Sequence, residues 1–173
     1  MRTMLVGAVM LLACLSGAAR ADEASAVKAV ENLGGKVTRD DKLPGKPVIG
    51  VNLTGTEVTD ASLKELKDLK QLTSLDLQFT PVTDAGLKEL KHLKQLTTLG
   101  LRGTQVTDAG LKELKDLKQL TSLYLNNTEV TDAGLKELKE LKQLTTLHLG
   151  HTNVTADGVA ELQKALPGCS IGR

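Results

Sequence analysis

The sequence of 173 residues contains 22 Lys and Arg against 21 Asp and Glu, which gives a formal net charge of +1. It contains 1 Tyr, 1 Phe and no Trp. The near-neutral charge argues against nucleic-acid binding and against a polybasic membrane-binding segment. The scarcity of aromatic side chains argues against an irregular globular core, which large rings normally help to fill.

The first 21 residues have the pattern of a secretory signal peptide. A basic start at Arg2 precedes an uncharged apolar run over residues 4–15, and Ala19-Arg20-Ala21 fits the small-x-small cleavage motif. We therefore predict a signal peptide at residues 1–21, with export to the periplasm or the extracellular space after cleavage near Ala21. The alternative is a lipoprotein anchored through Cys14, because residues 11–14 resemble a lipobox.

Residues 22–47 are predicted to form an N-terminal cap made of a helix and a turn. Apolar side chains share one face of a helix over residues 24–33, and Gly34-Gly35 ends it. Residues 36–38 are a candidate short strand. The two prolines within residues 44–47 predict a turn.

The chain then repeats itself every 24 residues, as five repeats at residues 48–71, 72–95, 96–119, 120–143 and 144–168. In the second repeat, Leu75 and Leu77 alternate with polar residues, which is typical of a half-buried strand. Leu87, Leu90 and Leu93 follow at three-residue steps, which turns one apolar stripe of a short helix inward. One such repeat buries too little to fold alone, so the copies must stack and pair their strands in parallel.

The consensus L-x-x-L-x-L-x-x-T-x-V-T-D-A-G-L-x-x-L-x-x-L-x-x resembles the leucine-rich repeats of secreted bacterial proteins. The resemblance covers residues 48–168. It implies an α/β leucine-rich-repeat solenoid: a curved right-handed stack with a parallel β-sheet on its concave face and short helices on its convex face. Residues 169–173 would add a C-terminal closing strand. Because leucine-rich repeats usually serve in protein–protein interaction, the resemblance also implies a protein or peptide partner.

The three central repeats differ at only six positions, and four of these lie on or just after the strand. The four are Ser74/Thr98/Ser122, Asp76/Gly100/Tyr124, Gln78/Arg102/Asn126 and Phe79/Gly103/Asn127. Outward side chains of stacked strands form the usual binding face of a solenoid. Drift after recent duplication is the alternative, but drift would also change exposed helix positions, and Lys88, Lys91 and Lys94 recur unchanged in the neighbouring repeats.

Nine residues on this face form the candidate partner-binding site. Phe79 and Tyr124 are the expected apolar anchors, because exposed aromatic side chains mark contact sites. The polar surround comprises Asp76, Gln78, Arg102, Asn126, Asn127, His148 and His151. We expect binding of a protein or peptide on this face.

The sequence has no pattern of catalytic residues. No Ser or Thr has a His and a carboxylate placed by the repeat to activate it, and neither a P-loop nor a G-x-G-x-x-G after a strand is present. We therefore expect no enzyme activity and no cofactor. His148 and His151 are the best metal candidates, but two histidines alone rarely bind a metal, so we expect none. A metal or small-ligand site at these histidines and a passive structural role in the cell envelope are the alternative functions.

Cleavage after residue 21 would leave Cys169 as the only cysteine, and its position favours a small buried apolar side chain. The loss of Arg2 and Arg20 would change the net charge from +1 to −1. Rows of lysines such as Lys88 and Lys112 are expected to form a solvated convex face. We expect the mature chain to be monomeric, to bind no nucleic acid and to have no transmembrane segment.

Overall fold

The computed structural model describes residues 22–173, so the predicted signal peptide, its cleavage site and Cys14 lie outside the described residues. Seven strands form one sheet, and their spatial order follows the chain. The strands are β1 (Lys36–Arg39), β2 (Val48–Asn52), β3 (Ser74–Asp76), β4 (Thr98–Gly100), β5 (Ser122–Tyr124), β6 (Thr146–His148) and β7 (Ser170–Gly172).

Each of the five repeats contributes one strand, and the strands from β2 to β7 pair in parallel. The register advances by one repeat at every step: Leu75 pairs with Leu99, and Leu99 pairs with Leu123. Parallel neighbours require a crossover connection, which a helical segment provides in each repeat. The predicted α/β leucine-rich-repeat solenoid is confirmed.

The helical segments are short, as predicted, and many of their turns are 3₁₀. The α-helices of the repeats are α2 (Asp84–Leu87), α3 (Asp108–Leu111), α4 (Asp132–Leu138) and α5 (Ala156–Ala165), and 3₁₀ segments occupy Ser62–Asp68, Lys88–His92 and Lys112–Asp116. A 3₁₀ helix has three residues per turn, so side chains three apart eclipse each other. Leu63, Leu66 and Leu69 therefore share one face, and all three are buried.

Leucine side chains fill the space between the sheet and the helical segments. In the second repeat, Leu75 and Leu77 come from the strand side and Leu87, Leu90 and Leu93 from the helical side, and each is at most 1% exposed. The same positions are buried in the neighbouring repeats, which gives one continuous core. That core contains no aromatic residue, so identical leucine layers replace the large rings of an ordinary globular domain.

Threonines fix the loop between strand and helix in each repeat. Thr80 is buried and donates its Oγ1 to the Leu77 carbonyl at 2.7 Å. Thr83 is the N-cap of α2, and its Oγ1 accepts a hydrogen bond from the Ala85 backbone N–H at 3.2 Å. Both bonds recur in the third and fourth repeats, so the strands of the second to fourth repeats lead into their helices by the same path.

A helix and an antiparallel strand precede the first repeat. Helix α1 spans residues 22–32, and its Ala26 and Val30 are buried. Gly34 then takes a φ of +79°, which turns the chain into β1. Strand β1 pairs antiparallel with β2, unlike every later pair.

The last repeat ends in α5, the longest helix of the repeats, and the short strand β7 follows it. Strand β7 begins at Ser170, one residue after the predicted start of the closing strand. Cys169 is buried, as predicted, and its burial raises the pKa of the thiol. A buried thiol with a raised pKa is a poor nucleophile, so Cys169 acts as an apolar side chain.

Candidate partner-binding face

The strand register places the predicted site residues in three rows on the solvent side of the sheet, which we call the concave face. The central row contains Asn52, Asp76, Gly100, Tyr124, His148 and Gly172. The second row, two residues further along each repeat, contains Thr54, Gln78, Arg102, Asn126 and Gly150. The turn row, one residue later again, contains Gly55, Phe79, Gly103, Asn127 and His151.

Sheet-like hydrogen bonds continue past the strand ends into the turn row. The Phe79 backbone N–H donates to the Arg102 carbonyl at 2.8 Å, and the Gly103 N–H donates to the Asn126 carbonyl at 2.9 Å. The Asn127 N–H continues the series with the Gly150 carbonyl at 2.9 Å. The backbone of all three rows is therefore held in one register.

Tyr124 and His148 stack face to face across neighbouring strands. Their ring centroids are 5.1 Å apart and their planes differ by 16°. Tyr124 is half-buried, whereas His148 is exposed. Stacked aromatic pairs contribute about 0.5–1.5 kcal/mol beyond the area they bury, so this pair is ordered before any partner arrives.

The turn row has left-handed backbone geometry in every repeat. Gly55 and Gly103 take φ of +68° and +66°, and Asn127 and His151 take +57°. Gly, Asn and His are the residue types that tolerate this region best. Phe79 takes φ of +56° at the same position, and its side chain is 52% exposed. A bulky residue in this region costs about 1–3 kcal/mol in strain.

Phe79 is also partnered by the charged side chain of the next repeat. The Arg102 guanidinium carbon lies 5.1 Å from the centroid of the Phe79 ring, within cation–π distance. The ring covers Gly103, where an added Cβ would lie 2.8 Å from Phe79 Cδ1. Phe79 and Arg102 thus form one apolar and cationic surface above the turn row.

Glycines on the concave face make room for large side chains of the preceding repeat. A Cβ at Gly100 would lie 2.6 Å from Asp76 Oδ1, and a Cβ at Gly150 would lie 2.9 Å from Asn126 Nδ2. His148 also lies over Gly172, but its Nδ1 is 3.4 Å from the Cβ position, which is an ordinary van der Waals contact. At Gly100 and Gly150, the absence of a side chain in one repeat is therefore coupled to the side chain of the repeat before it.

Asp76 is oriented by Gln78. The Gln78 backbone N–H donates to Asp76 Oδ1 at 3.1 Å, and Gln78 Nε2 donates to Asp76 Oδ2 at 3.2 Å. Three pairs of predicted site residues are therefore in direct contact: Asp76 with Gln78, Phe79 with Arg102, and Tyr124 with His148. Asn126, Asn127 and His151 lie in the same rows without such a pairing.

The two histidines proposed as metal candidates lie in different rows. His148 faces the Tyr124 ring and Gly172, and His151 follows in the turn row. Across residues 22–173, no three side chains of the types His, Cys, Asp or Glu converge on a common point. The described residues thus offer no ligand set of the size that zinc needs.

The sequence did not reveal a cavity of about 380 Å³ at the amino-terminal end of the concave face. Asp76, Ser74 and Asn52 of the repeats line it together with Thr38 of β1. Thr38 lies outside the repeat period, so only the antiparallel pairing of β1 with β2 brings it to this face. A clue in the sequence was the candidate strand at residues 36–38, but its partner and direction were not predictable.

The convex face has alternating charges. Lys94 pairs with Asp116 at 3.8 Å and Lys139 with Glu161 at 3.6 Å, in both cases across neighbouring repeats. These side chains are one-third exposed or more, and such pairs contribute little to stability. The arrangement fits the solvated face expected for the lysine rows.

The sequence profile of the family described as Leucine Rich repeat matches residues 70–91, 92–115, 118–139 and 142–162, which together make up just over half of the chain. A comparison with curated proteins finds no match. Among the described residues, no helix combines the length and apolar character needed to cross a membrane.

Solved structures with a similar fold include an internalin (InlF) from Listeria monocytogenes strain 4b F2365. It is 28% identical, with a TM-score of 0.57 over 67% of this chain and 32% of the internalin. Another is TLR13 in its complex with ssRNA13, which is 21% identical, with a TM-score of 0.54 over 70% of this chain and 17% of TLR13. The TLR13 likeness shows the fold alone. This chain spans about a third of the internalin and less of TLR13.

Proposed function

Because the chain belongs to the leucine-rich repeat family, we propose that its concave face binds a protein or peptide partner. Solenoids of this kind present extended concave surfaces that other molecules occupy. The contact surface comprises the three rows defined above, with Phe79 and Tyr124 as apolar anchors. Asp76, Gln78, Arg102, Asn126, Asn127, His148 and His151 form the polar surround.

The observation that carries this proposal is the conformation of Phe79. Its row requires a left-handed backbone, and the other repeats supply Gly, Asn or His there. If this row varied at random, the left-handed backbone would favour substitutions to Gly, Asn or His, because these residues adopt it with the least strain. A strained and exposed Phe in their place indicates that its side chain is kept for a contact, since local strain clusters at functional sites.

The coupled pairs on the face support the same conclusion. Phe79 with Arg102 and Tyr124 with His148 are held in place before a partner binds. Ordering side chains at an interface costs about 0.5–1.5 kcal/mol for each flexible residue, and pre-ordered rings avoid much of that cost. Aromatic and Arg side chains are also the types that contribute most to protein interfaces.

The charge of the chain favours a protein partner over a nucleic acid. TLR13 is bound to single-stranded RNA in its complex, but the present chain has a formal net charge of +1. The only basic side chain among the nine candidate residues, apart from the two histidines, is Arg102. Nucleic-acid binding draws on several Lys and Arg contacts to phosphates.

We further propose that the chain is exported and acts without catalysis. The signal-peptide pattern of residues 1–21 supports export, with a lipoprotein anchored through Cys14 as the alternative. The concave face offers paired aromatic and polar side chains but no nucleophile with an activating base. A passive structural role in the cell envelope is the second candidate, favoured by the regular core.

A crosslinking capture experiment tests the proposal. The purified full chain is compared with a concave variant carrying Phe79→Ala, Tyr124→Ala and His148→Ala, using extracts of the native cells. The matched control carries Lys64→Ala, Lys88→Ala and Lys112→Ala, three exposed changes on the convex face. We expect a protein that the wild type and the convex control both capture and the concave variant does not.

Capture that is equal for all three proteins would reject the concave face as the binding site. If only the convex control lost capture of the partner, the binding site would lie on the lysine rows. No capture by any of them would favour the passive structural role. Thermal unfolding of each variant shows whether a loss of capture reflects a loss of fold.

A further inference from the structure

The cavity of about 380 Å³ at the amino-terminal end of the concave face has a mixed lining, in which Ile49 and Val51 accompany polar side chains and one carboxylate, that of Asp76. Its size falls within the range of small-ligand sites. We propose that this cavity is a subsite for a primary ammonium group carried by the partner, with Asp76 as the counter-ion. The inference rests on the proposed function and adds the chemical class of the group that the partner presents.

Asp76 is the only acidic residue in strands β1 to β7. It is half-buried, and no ion pair within residues 22–173 includes it. By contrast, carboxylates such as Asp116 on the convex face have a Lys partner from a neighbouring repeat. A partly desolvated carboxylate gains most from a cation that arrives with the partner, because the local dielectric strengthens that attraction.

The carboxylate of Asp76 is held in a fixed orientation and can accept further hydrogen bonds. Gln78 donates one hydrogen bond to each of its oxygens, at 3.1 and 3.2 Å. An ionised carboxylate accepts about four hydrogen bonds, so about two positions are free. Gly100 makes this orientation accessible, since a Cβ there would lie 2.6 Å from Asp76 Oδ1.

The lining favours an ammonium group over a guanidinium group. An ammonium is a compact charge with three donors, whereas a guanidinium binds best as a planar fork to both carboxylate oxygens. Gln78 already occupies one acceptor position on each oxygen of Asp76, so a fork has only the remaining position on each oxygen, whereas one ammonium donor needs a single position. Oxygens of Thr38, Ser74 and Asn52 line the same cavity and are suited to accept the remaining ammonium donors.

The ammonium group has two sources in a protein partner, a lysine side chain and an amino terminus. N-acetyl-lysinamide presents only the first, and glycinamide presents only the second. N-acetyl-norleucinamide has a comparable apolar stem without the charge and is the matched control compound. Each is titrated against the purified full chain while backbone amide signals of Gly50, Ser74 and Asp76 are followed by NMR.

We expect saturable shifts of these signals with at least one ammonium compound and none with N-acetyl-norleucinamide. The compound that binds more tightly identifies the source. Asp76→Asn should weaken this binding by about tenfold or more, because a hydrogen-bonded charge contributes more than 1.4 kcal/mol. Asp116→Asn, which removes the same charge from the convex face, should leave it unchanged.

Equal shifts with N-acetyl-norleucinamide, no shifts with either ammonium compound, or unchanged affinity in Asp76→Asn would each overturn the subsite. If Asp76→Asn fails to fold, Thr38→Val serves instead and should weaken binding by removing a lining hydroxyl. The proposed function is tested separately by the concave variant of Phe79, Tyr124 and His148. Partner capture lost there but retained in Asp76→Asn would reject the subsite while supporting the function.

Discussion

Asp84 of the second repeat and Thr107 of the third are joined by two hydrogen bonds. Asp84 Oδ1 accepts from the Thr107 backbone N–H at 2.8 Å, and Oδ2 accepts from Thr107 Oγ1 at 2.7 Å. The same pair of hydrogen bonds occurs at the other three interfaces between repeats, at Asp60–Thr83, Asp108–Thr131 and Asp132–Thr155. The Asp of each T-D motif therefore binds the equivalent Thr in the next repeat and stabilises the interface between them.

The first and the fifth repeats depart from this pattern. A Cβ at Gly86, Gly110, Gly134 or Gly158 would overlap an Asp carboxylate of the preceding repeat. The first repeat has Ser62 at this position, and no repeat precedes it to supply that carboxylate. The fifth repeat has Ala156 at the Asp position, so it lacks this carboxylate.

Removal of one interior carboxylate should loosen one interface. Asp108→Ala deletes both acceptors of Thr131, so we expect the free energy of unfolding to fall by about 1.5–3 kcal/mol. Urea unfolding measures the change. The control Asp116→Ala removes an exposed convex carboxylate and should change stability by less than about 0.5 kcal/mol. Equal effects of the two substitutions would show that the Asp–Thr bonds contribute nothing specific.

The glycine of the T-D-A-G-L motif should be required mainly because of the Asp carboxylate of the preceding repeat. Gly110→Ala places a methyl group against Asp84 and should destabilise by about 1–3 kcal/mol, as overpacking does. In an Asp84→Ala background the methyl group meets no carboxylate and its nearest neighbour is Leu87 Cδ1, at 3.0 Å, so the cost of the substitution should be much smaller. A double-mutant cycle from unfolding curves should show strong coupling. Additive effects would contradict this account.

Acid should weaken the last interface through Asp132. Hydrogen bonds from Thr155 Oγ1 and from the Thr155 backbone N–H hold the pKa of Asp132 below its ordinary value of 3.8. Because the pKa is lower in the folded state, the ionised carboxylate stabilises the fold above pH 3.8, and this contribution is lost as the pH falls from there through the folded-state pKa.

The melting temperature as a function of pH measures this effect. Between about pH 5 and about pH 2, the decline should be shallower in Asp132→Asn than in the wild type, because the amide has no proton to bind. Asp116→Asn is the control for the loss of an acidic residue. Parallel curves for Asp132→Asn and the wild type would contradict the assignment.

Phe79 should be replaceable by Gly without a loss of stability. The substitution removes the left-handed strain of about 1–3 kcal/mol. It also removes a cation–π contact with Arg102 of about 0.5–1 kcal/mol and adds the backbone entropy of Gly. We expect an unfolding free energy that is unchanged or raised by up to about 1 kcal/mol, measured by urea unfolding. A clear loss would show that Phe79 is a structural residue.

The solenoid was predictable because the same pattern of apolar residues occurs in every repeat. Leu75 and Leu77 alternate as a strand, and Leu87, Leu90 and Leu93 keep a three-residue step, so five copies of the same signal reinforce one another. The 3₁₀ turns were not predicted, because a three-residue step is compatible with both helix types.

The candidate face was only partly predictable. The repeat period predicted which residues lie in each row. It did not predict the structural reasons why the residues in a row differ between repeats. The sequence groups Gly103 and Asn127 with Phe79 as one varying position, but it does not predict the left-handed backbone that all three share. The sequence identifies Gly100 only as a member of a varying position, whereas the structure shows that it leaves room for Asp76. Such relationships require the position of the neighbouring repeat in space, which one repeat read alone does not supply.

Partner capture by the Phe79→Gly protein tests the central claim most directly, because this change should leave the fold intact. The wild type, Phe79→Gly and the convex control Lys88→Ala are compared in the crosslinking experiment, each with its melting temperature. We predict that Phe79→Gly melts at or above the wild-type temperature and captures much less of the partner, since an anchor residue contributes about 2 kcal/mol or more to binding. Undiminished capture by Phe79→Gly, at normal stability, would contradict the role of Phe79 and of the concave face built around it.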